Sequence, residues 1–442
     1  MMNGKLALLW HYFLTRRNFT RWRDREVLEQ WQDRQVQRHL RRFVPRSRYY
    51  RELFADRPLN EWRDFPVSNK AALMGRFDDW NIAGVTLKEA SAVADDAERS
   101  RNFDTLLHGC TVGMSSGTSG SRGLFLATAA ERAAWAGTLL ARVLHGTLGS
   151  MHRAALFLRA DSTLYQSLGS RRFRFAFFDL FEPLEPQWAR LQAHRPTILA
   201  APPAALVRMA AFPGAATLLE PPGLLYSVAD VLDDADRVII ERGFGCRLNQ
   251  IYQATEGFLA VSCPYGHLHW NEDIMVVQKR WLDREHTRFT PVITDFMRQT
   301  QPMLRYALDD VIVEPESNEP CPCGSIFGRL GKIEGRKDDV LYLPAASGNG
   351  WIPLFPDFIR RGVILGVPIA VEYRVVQVSA DHWSVALSEP QHAAAVQREL
   401  ERICREAGGA APRFTFDSWT EQPLHAKQRR IRREMPAPPL AA

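Results

Sequence analysis

Ser115-Ser116-Gly117-Thr118-Ser119-Gly120-Ser121-Arg122-Gly123 places eight Gly, Ser or Thr residues in nine positions, directly after an apolar run from Leu106 to Met114. A loop of this composition can turn several backbone N–H groups and hydroxyls onto one anion, because glycine lacks the Cβ that would hold a ligand off. A strand before the loop and a helix after it, over Ala129 to Leu144, predict a phosphate site completed by a helix N-terminus. The Walker pattern is excluded, since it needs a Lys after its second Gly and none occurs here. On composition alone an ordinary surface loop is an equal alternative.

Outward from the loop, short apolar runs (Ala154 to Leu158, Phe175 to Phe178, Ile198 to Ala201, Leu224 to Val228) alternate with helical segments (Gln187 to Ala193, Ala204 to Ala211, Asp233 to Arg242). That spacing predicts an α/β domain with a largely parallel sheet. Residues 259–315 read as β-rich, and a smaller mixed module follows Gly335, with strands at Val371 to Val378 and Trp383 to Leu387 and a helix from His392 to Ala407. Length agrees: 442 residues exceed one ordinary core. The expected domains are 1–335, with a basic helical start at 1–55, and 336–442. The tail from Pro436 reads as disordered.

Composition excludes other classes. An apolar fraction of 46% with 24% charged residues is that of a globular chain. No apolar run is long enough to span a bilayer, and the short one at Leu6 to Leu14 lacks the flanks of a secretory signal. Six Cys in this length do not make a disulfide framework, so the chain is expected in the cytoplasm. Net charge is +6, and 49 of the 56 basic residues are Arg. The densest cluster, Arg16 to Arg51, could face nucleic acid or an anionic membrane. Helical spacing of Val27, Trp31, Gln35 and Arg38, with Glu26, Glu29 and Asp33 interspersed, favours a solvated amphipathic helix. Neither nucleic-acid binding nor integral membrane association is therefore expected.

The loop resembles the phosphate loop of the adenylate-forming (acyl-CoA synthetase/ligase) superfamily, and further motifs follow in that superfamily's order. Tyr252-Gln253-Ala254-Thr255-Glu256-Gly257 resembles its Y-x-x-T-E segment. Arg305-Tyr306-Ala307-Leu308-Asp309-Asp310 resembles R-Y-x-x-G-D, and Gly335-Arg336-Lys337-Asp338-Asp339 resembles its interdomain hinge. The closest texture is the phenylacetate-CoA ligase branch with its coenzyme-adenylylating relative. Gly266-His267-Leu268-His269-Trp270-Asn271-Glu272-Asp273 and Glu319-Pro320-Cys321-Pro322-Cys323-Gly324 resemble that branch's G-L-H-x-x-E-D and E-x-C-x-C-G.

The resemblance implies a large adenylate-forming domain with mixed sheets and flanking helices, plus a small mobile α+β lid. It implies ATP held by Ser115, Ser116, Gly117, Thr118, Ser119, Gly120 and Arg122 with Tyr252, and Thr255 on the nucleotide. Glu256 would hold Mg²⁺, Asp310 and Arg336 would grip ribose and phosphate, and Asp338 would be the hinge. These residue types suit attack of a carboxylate on the α-phosphate, which needs donors, charge and a placed cation. Three departures stand out. Ser121 and Arg122 replace the usual loop Lys, Asp309 replaces a Gly, and the downstream K-x-x-G is missing. The C-terminal catalytic Lys is expected at Lys427, the one Lys after Lys337, although alignment on S-G-K would put Arg430 there.

Cys321-x-Cys323 in a Pro/Gly turn, with Cys263, His267 and His269 upstream, predicts a structural Zn²⁺ site of Cys263, His269, Cys321 and Cys323, with His267 as the substitute ligand. Cys110, Cys246 and Cys404 read as core thiols. Acyl-pocket candidates are Trp135, Phe178, Tyr226, Ser227, Ala229 and Phe258, although each residue of this kind is more often plain core than pocket lining. The expected activity is ATP-dependent formation of an acyl-AMP from an aromatic or medium-chain acid. Transfer to CoA or a carrier-protein thiol would follow, in a monomer or homodimer. The alternatives are adenylyl transfer to a hydroxyl and a non-catalytic protein on a decayed ligase fold.

Overall fold

The computed structural model describes residues 4–438 apart from 116–121, 145–149, 160–171, 222, 349 and 369–370. It divides into two compact units: residues 1–308 with 314–332, and residues 309–313 with 333–442.

The first unit begins with helices α1 (Gly4–Arg21) and α2 (Arg25–Phe43), then α3 (Arg48–Phe54), α4 (Lys70–Gly75), α5 (Phe77–Trp80) and α6 (Leu87–Ser100). Asp24 caps α2 by accepting from the Glu26 and Val27 amides at 2.7 and 3.3 Å. Helices α4 and α5 are separated by the single non-helical residue Arg76. The hairpin strands β1 (Leu106–Leu107), β2 (Cys110–Met114) and β3 (Leu124–Thr128) follow, and then α7 (Ala129–Val143). Tyr12, Thr15 and Asn18 of α1 are buried along α7. A Cβ on Gly137 would lie 2.3 Å from the Leu8 carbonyl oxygen, so the two backbones touch where only glycine fits.

Here one expectation is corrected. The Ser/Gly loop joins the antiparallel strands β2 and β3, closed by the Ser115 amide on the Gly123 carbonyl at 2.7 Å. The strand–loop–helix arrangement does not occur: β3 comes first, and α7 has its own capping box, Thr128 with Glu131.

Among the described residues the main sheet has eight strands: β4 (His152–Leu158), β5 (Phe173–Asp179), β6 (Ile198–Ala201), β7 (Leu224–Ser227), β8 (Leu248–Ala254), β9 (Gly257–Ser262), β10 (Leu268–Trp270) and β15 (Arg329–Leu330). Between them run β11 (Met275–Trp281), β12 (Arg288–Asp295) and β13 (Met303–Ala307), an antiparallel layer, and β14 (Asp310–Val313). In the order β5-β4-β6-β7-β8 the main sheet is parallel, with helices α8 (Leu184–His194), α9 (Pro203–Ala210) and α10 (Asp234–Phe244) in the crossovers. From β8 to β15 it is antiparallel. The central strands β6 and β7 of the parallel half are buried along their length, Ile198 to Ala201 being wholly apolar, as covered parallel strands must be.

The second unit takes in β14 and β16 (Lys332–Arg336), the hairpin β17 (Leu341–Pro344) with β18 (Trp351–Leu354), and a four-stranded sheet. Its strands β19 (Tyr373–Ser379), β20 (His382–Leu387), β21 (Arg413–Asp417) and β22 (Ile431–Arg433) lie in the order β21-β20-β19-β22. Helices α11 (Pro356–Gly366) and α12 (Ala393–Glu406) cover a core centred on Trp383. Val396, Leu400 and Cys404 supply its helical stripe at the i, i+4, i+8 spacing. Asp310–Val313 thus packs with the second unit although it precedes the expected 335/336 boundary.

Candidate active site and metal cluster

In the first unit Thr255 and Glu256 follow the carboxyl end of parallel strand β8, and Ser227 and Ala229 lie at that of β7, where open α/β sheets place their ligands. β8 ends at Ala254, and Thr255 and Glu256 form the turn into β9. Each Glu256 oxygen accepts one hydroxyl: Oε1 from Tyr306 at 2.9 Å and Oε2 from Thr255 at 2.8 Å. Two hydroxyl donors fix the carboxylate's direction and leave further lone pairs for a cation. The turn is held from below by Arg298, which donates to the Thr255 carbonyl at 3.2 Å. Arg305, next to Tyr306, donates to Gln278 at 2.9 Å, so the two residues of that motif serve opposite sides of strand β13. Tyr252 is buried with its ring 6.1 Å from that of Trp270.

Of the phosphate loop, Ser116, Gly117, Thr118, Ser119 and Gly120 lie outside the described residues, as does Ser121; Ser115 and Arg122 are described. Ser115 Oγ accepts from the Gly123 amide at 2.7 Å. The Arg122 guanidinium, expected on phosphate, is paired with Glu98 at 2.7 Å. The cation at the loop is one that sequence reasoning missed: Lys70 Nζ lies 3.4 Å from Ser115 Oγ. Lys70 opens α4 behind the cap Asn69, and its approach is fixed because Ser68 pairs with Tyr306, amide to the Arg305 carbonyl at 2.9 Å. Lys70 stands 45 positions before the loop, and scarcity was the available signal, since the chain has seven Lys in all.

Of the acyl-pocket candidates, Phe178 and Tyr226 are core. Phe178 stacks on Phe157 at 4.6 Å, and Tyr226 is fully buried with its hydroxyl on the Val143 carbonyl at 2.9 Å. Phe258 is buried in β9. Trp135 donates to Gln253 of the Tyr252 segment at 3.3 Å. Ser227 closes β7 with its buried hydroxyl unbonded among the described residues, and Ala229 follows with φ 71°.

In the second unit Arg336 reaches Asp309 at 3.4 Å and Asp310 at 3.9 Å. Asp339 accepts from the Arg336 amide at 2.8 Å and from Arg429, which also lies 3.7 Å from Asp338. The two candidates for the C-terminal cation differ in their engagements. Arg430 is paired with Glu372 at 3.0 Å, whereas Lys427 takes part in no ion pair found among the described residues.

The cysteine cluster is closed by two tight turns. Cys263 follows β9, and its amide donates to the His267 carbonyl at 2.8 Å. Gly324 supplies φ 75° after Cys321-Pro322-Cys323, its amide donating to the Cys321 carbonyl at 3.0 Å. One ligand atom from each of Cys263, His269, Cys321 and Cys323 lies within 4.8 Å of the others. Cys263 and Cys321 Sγ are 3.7 Å apart, and Cys323 Sγ is 3.6 Å from His269 Nε2. His269 Nδ1 is 2.8 Å from the Phe327 carbonyl and so must carry the proton, which leaves Nε2 as the lone pair facing the thiols. His267 Nδ1 approaches Cys321 alone, at 3.1 Å. This donor set and spacing fit a closed tetrahedral zinc site. Strand β9 separates it from Glu256 by roughly 20 Å of extended chain.

No protein-family model matches the sequence, and no curated protein matches it. Solved structures match the fold over nearly the whole chain. One is 2-hydroxyisobutyryl-CoA ligase in complex with 2-HIB-AMP, with TM-score 0.63 and 19% identity over 91% of this chain and 88% of that one. The same ligase with 2-HIB-AMP and CoA in the thioesterification state gives 0.55 at 19% identity, over 95% and 92%. An acyl acid amido synthetase in complex with 2,4-DB gives 0.53 at 14% identity, over 94% and 89%. The chain therefore has the fold of the adenylate-forming ligases.

Proposed function

We propose that this chain is an ATP-dependent carboxylate-activating ligase of the acid–thiol type, similar to phenylacetate-CoA ligase. The observation that carries the proposal is the Thr255–Glu256–Tyr306 group at the carboxyl edge of the sheet, in a fold whose solved examples hold acyl-AMP and CoA. A carboxylate oxygen of the substrate attacks the α-phosphorus of ATP and pyrophosphate leaves. The thiolate of CoA or a carrier protein then attacks the acyl carbon and AMP leaves. Glu256 would hold Mg²⁺, which supplies positive charge on the phosphates. Ser115, the loop after it and Lys70 supply donors and charge to the phosphates, Asp310 and Arg336 take ribose and phosphate, and Lys427 meets the reacting carboxylate. An aromatic or medium-chain acid is the proposed substrate. The cysteine cluster is proposed to hold a structural Zn²⁺, and six unpaired cysteines support the cytoplasm as the compartment.

Carboxylate-dependent ATP–pyrophosphate exchange over a panel of aryl and aliphatic acids tests the proposal. Exchange with one class establishes acyl adenylation and its substrate group. A flat panel from folded, ATP-binding protein overturns it in favour of hydroxyl adenylylation or a site without activity.

A further inference from the structure

The outward face of α1 changes character along its length. Leu6, Leu9, Trp10 and Phe13 are 58%, 40%, 62% and 62% exposed, and their i, i+3, i+4, i+7 spacing aligns them on one side. The same side continues through Arg16, Arg17 and Arg21, all exposed. The first 23 residues carry five basic groups and no acid, and the first 57 carry a net +8 against +6 for the whole chain. The opposite face is fastened to α7 through buried Tyr12, Thr15 and Asn18, with Thr15 bonded to Thr138 at 3.3 Å. The stripe is thus displayed by an anchored helix. Solvating four large apolar side chains in line is costly, and a soluble surface normally scatters them.

We propose that α1 seats the protein on an anionic lipid surface. Leu6, Leu9, Trp10 and Phe13 enter the headgroup–acyl boundary, and Arg16, Arg17 and Arg21 meet lipid phosphates. Apolar and aromatic residues beside uninterrupted basic charge are what such a surface recognises. A second copy of this chain fits less well, because pairing two α1 faces would bring like charges together with no acid to offset them. Nucleic acid would leave the apolar turns in water. The proposal is independent of the ligase reading, since α1 carries none of the residues assigned to catalysis.

The test is co-sedimentation of the full-length protein with phosphatidylcholine vesicles, with and without phosphatidylglycerol, at low and high salt. Binding is expected to be about tenfold or more stronger to the anionic vesicles, and to weaken with salt. Leu6→Ser with Trp10→Ser and Phe13→Ser should lower it about tenfold or more, with the thermal melt unchanged because all three side chains are exposed. Should that variant fail to fold, Arg17→Glu serves instead, lowering binding to the anionic vesicles alone. Absence of vesicle binding, or binding that survives both variants, overturns the proposal. So does a dimer in light scattering that the triple variant dissociates while vesicles stay unbound.

Discussion

Glu256 is aimed by two hydroxyls, one local (Thr255) and one from strand β13 (Tyr306). Glu256→Gln keeps the shape and removes the charge. Exchange should fall about a hundredfold or more while circular dichroism stays native, the loss seen when one preorganised electrostatic contact is taken from an active site. At the C-terminal end the prediction is comparative. Arg430 is committed to Glu372, so Arg430→Ala should chiefly lower stability, whereas Lys427→Ala should chiefly lower exchange. The reverse pattern in the two rates would move the catalytic role to Arg430. Lys70 is the third residue at this scale. Its ammonium at Ser115 brings the loop a Lys that its own sequence lacks, Arg122 being paired with Glu98. Lys70→Met should reduce kcat/KM for ATP by about tenfold or more, with Lys70→Arg recovering part of it, because charge more than shape is needed against phosphate.

Elements are tied together by buried charge and by the cysteine turns. Arg142 of α7 is buried against Asp273, and its guanidinium lies between the rings of Phe19 and Phe327, at 4.8 and 5.2 Å. Arg25 at the start of α2 grips Glu272 through both oxygens at 2.5 and 2.6 Å. The Glu-Asp pair that resembles a branch motif therefore anchors the N-terminal helices to the segment after β10. Asp273→Asn should cost about 3–5 kcal/mol in urea unfolding, because it leaves the buried Arg142 unpaired. Cys321→Ser should release bound zinc, read by atomic absorption, and lower the melting temperature. Exchange at a permissive temperature should survive, given the separation of the cluster from Glu256.

For the molecule as a whole, all four residues of the cysteine cluster fall in the first unit although Cys263 and Cys321 are 58 positions apart. Two compact units need not unfold in one step. A strong chelator should lower the calorimetric transition of the first unit and leave that of the second in place, since metal affinity is folding energy only for the unit that holds the ligands. A single transition that moves as a whole would show the two units to be thermodynamically one.

The sequence alone determined the α/β class, the parallel run of strands, the change of texture after Gly335 and the order of the motifs that resemble those of adenylate-forming enzymes. These are local properties: alternation, apolar runs and turn residues act over a few positions, and each motif is contiguous. Spacing compatible with zinc was legible at Cys263, Cys321 and Cys323, with the choice between His267 and His269 left open. Tertiary structure decided the rest. It paired β3 back on β2, so that a strand and not a helix follows the Ser/Gly segment. It sent Arg122 to Glu98 and brought Lys70 across 45 positions to Ser115. It assigned Phe178 and Tyr226 to the core and packed Asp310–Val313 with the second unit. Each of these outcomes depends on which strands become neighbours in a sheet. That choice is settled by burying apolar area across the whole unit, and no window of sequence contains it.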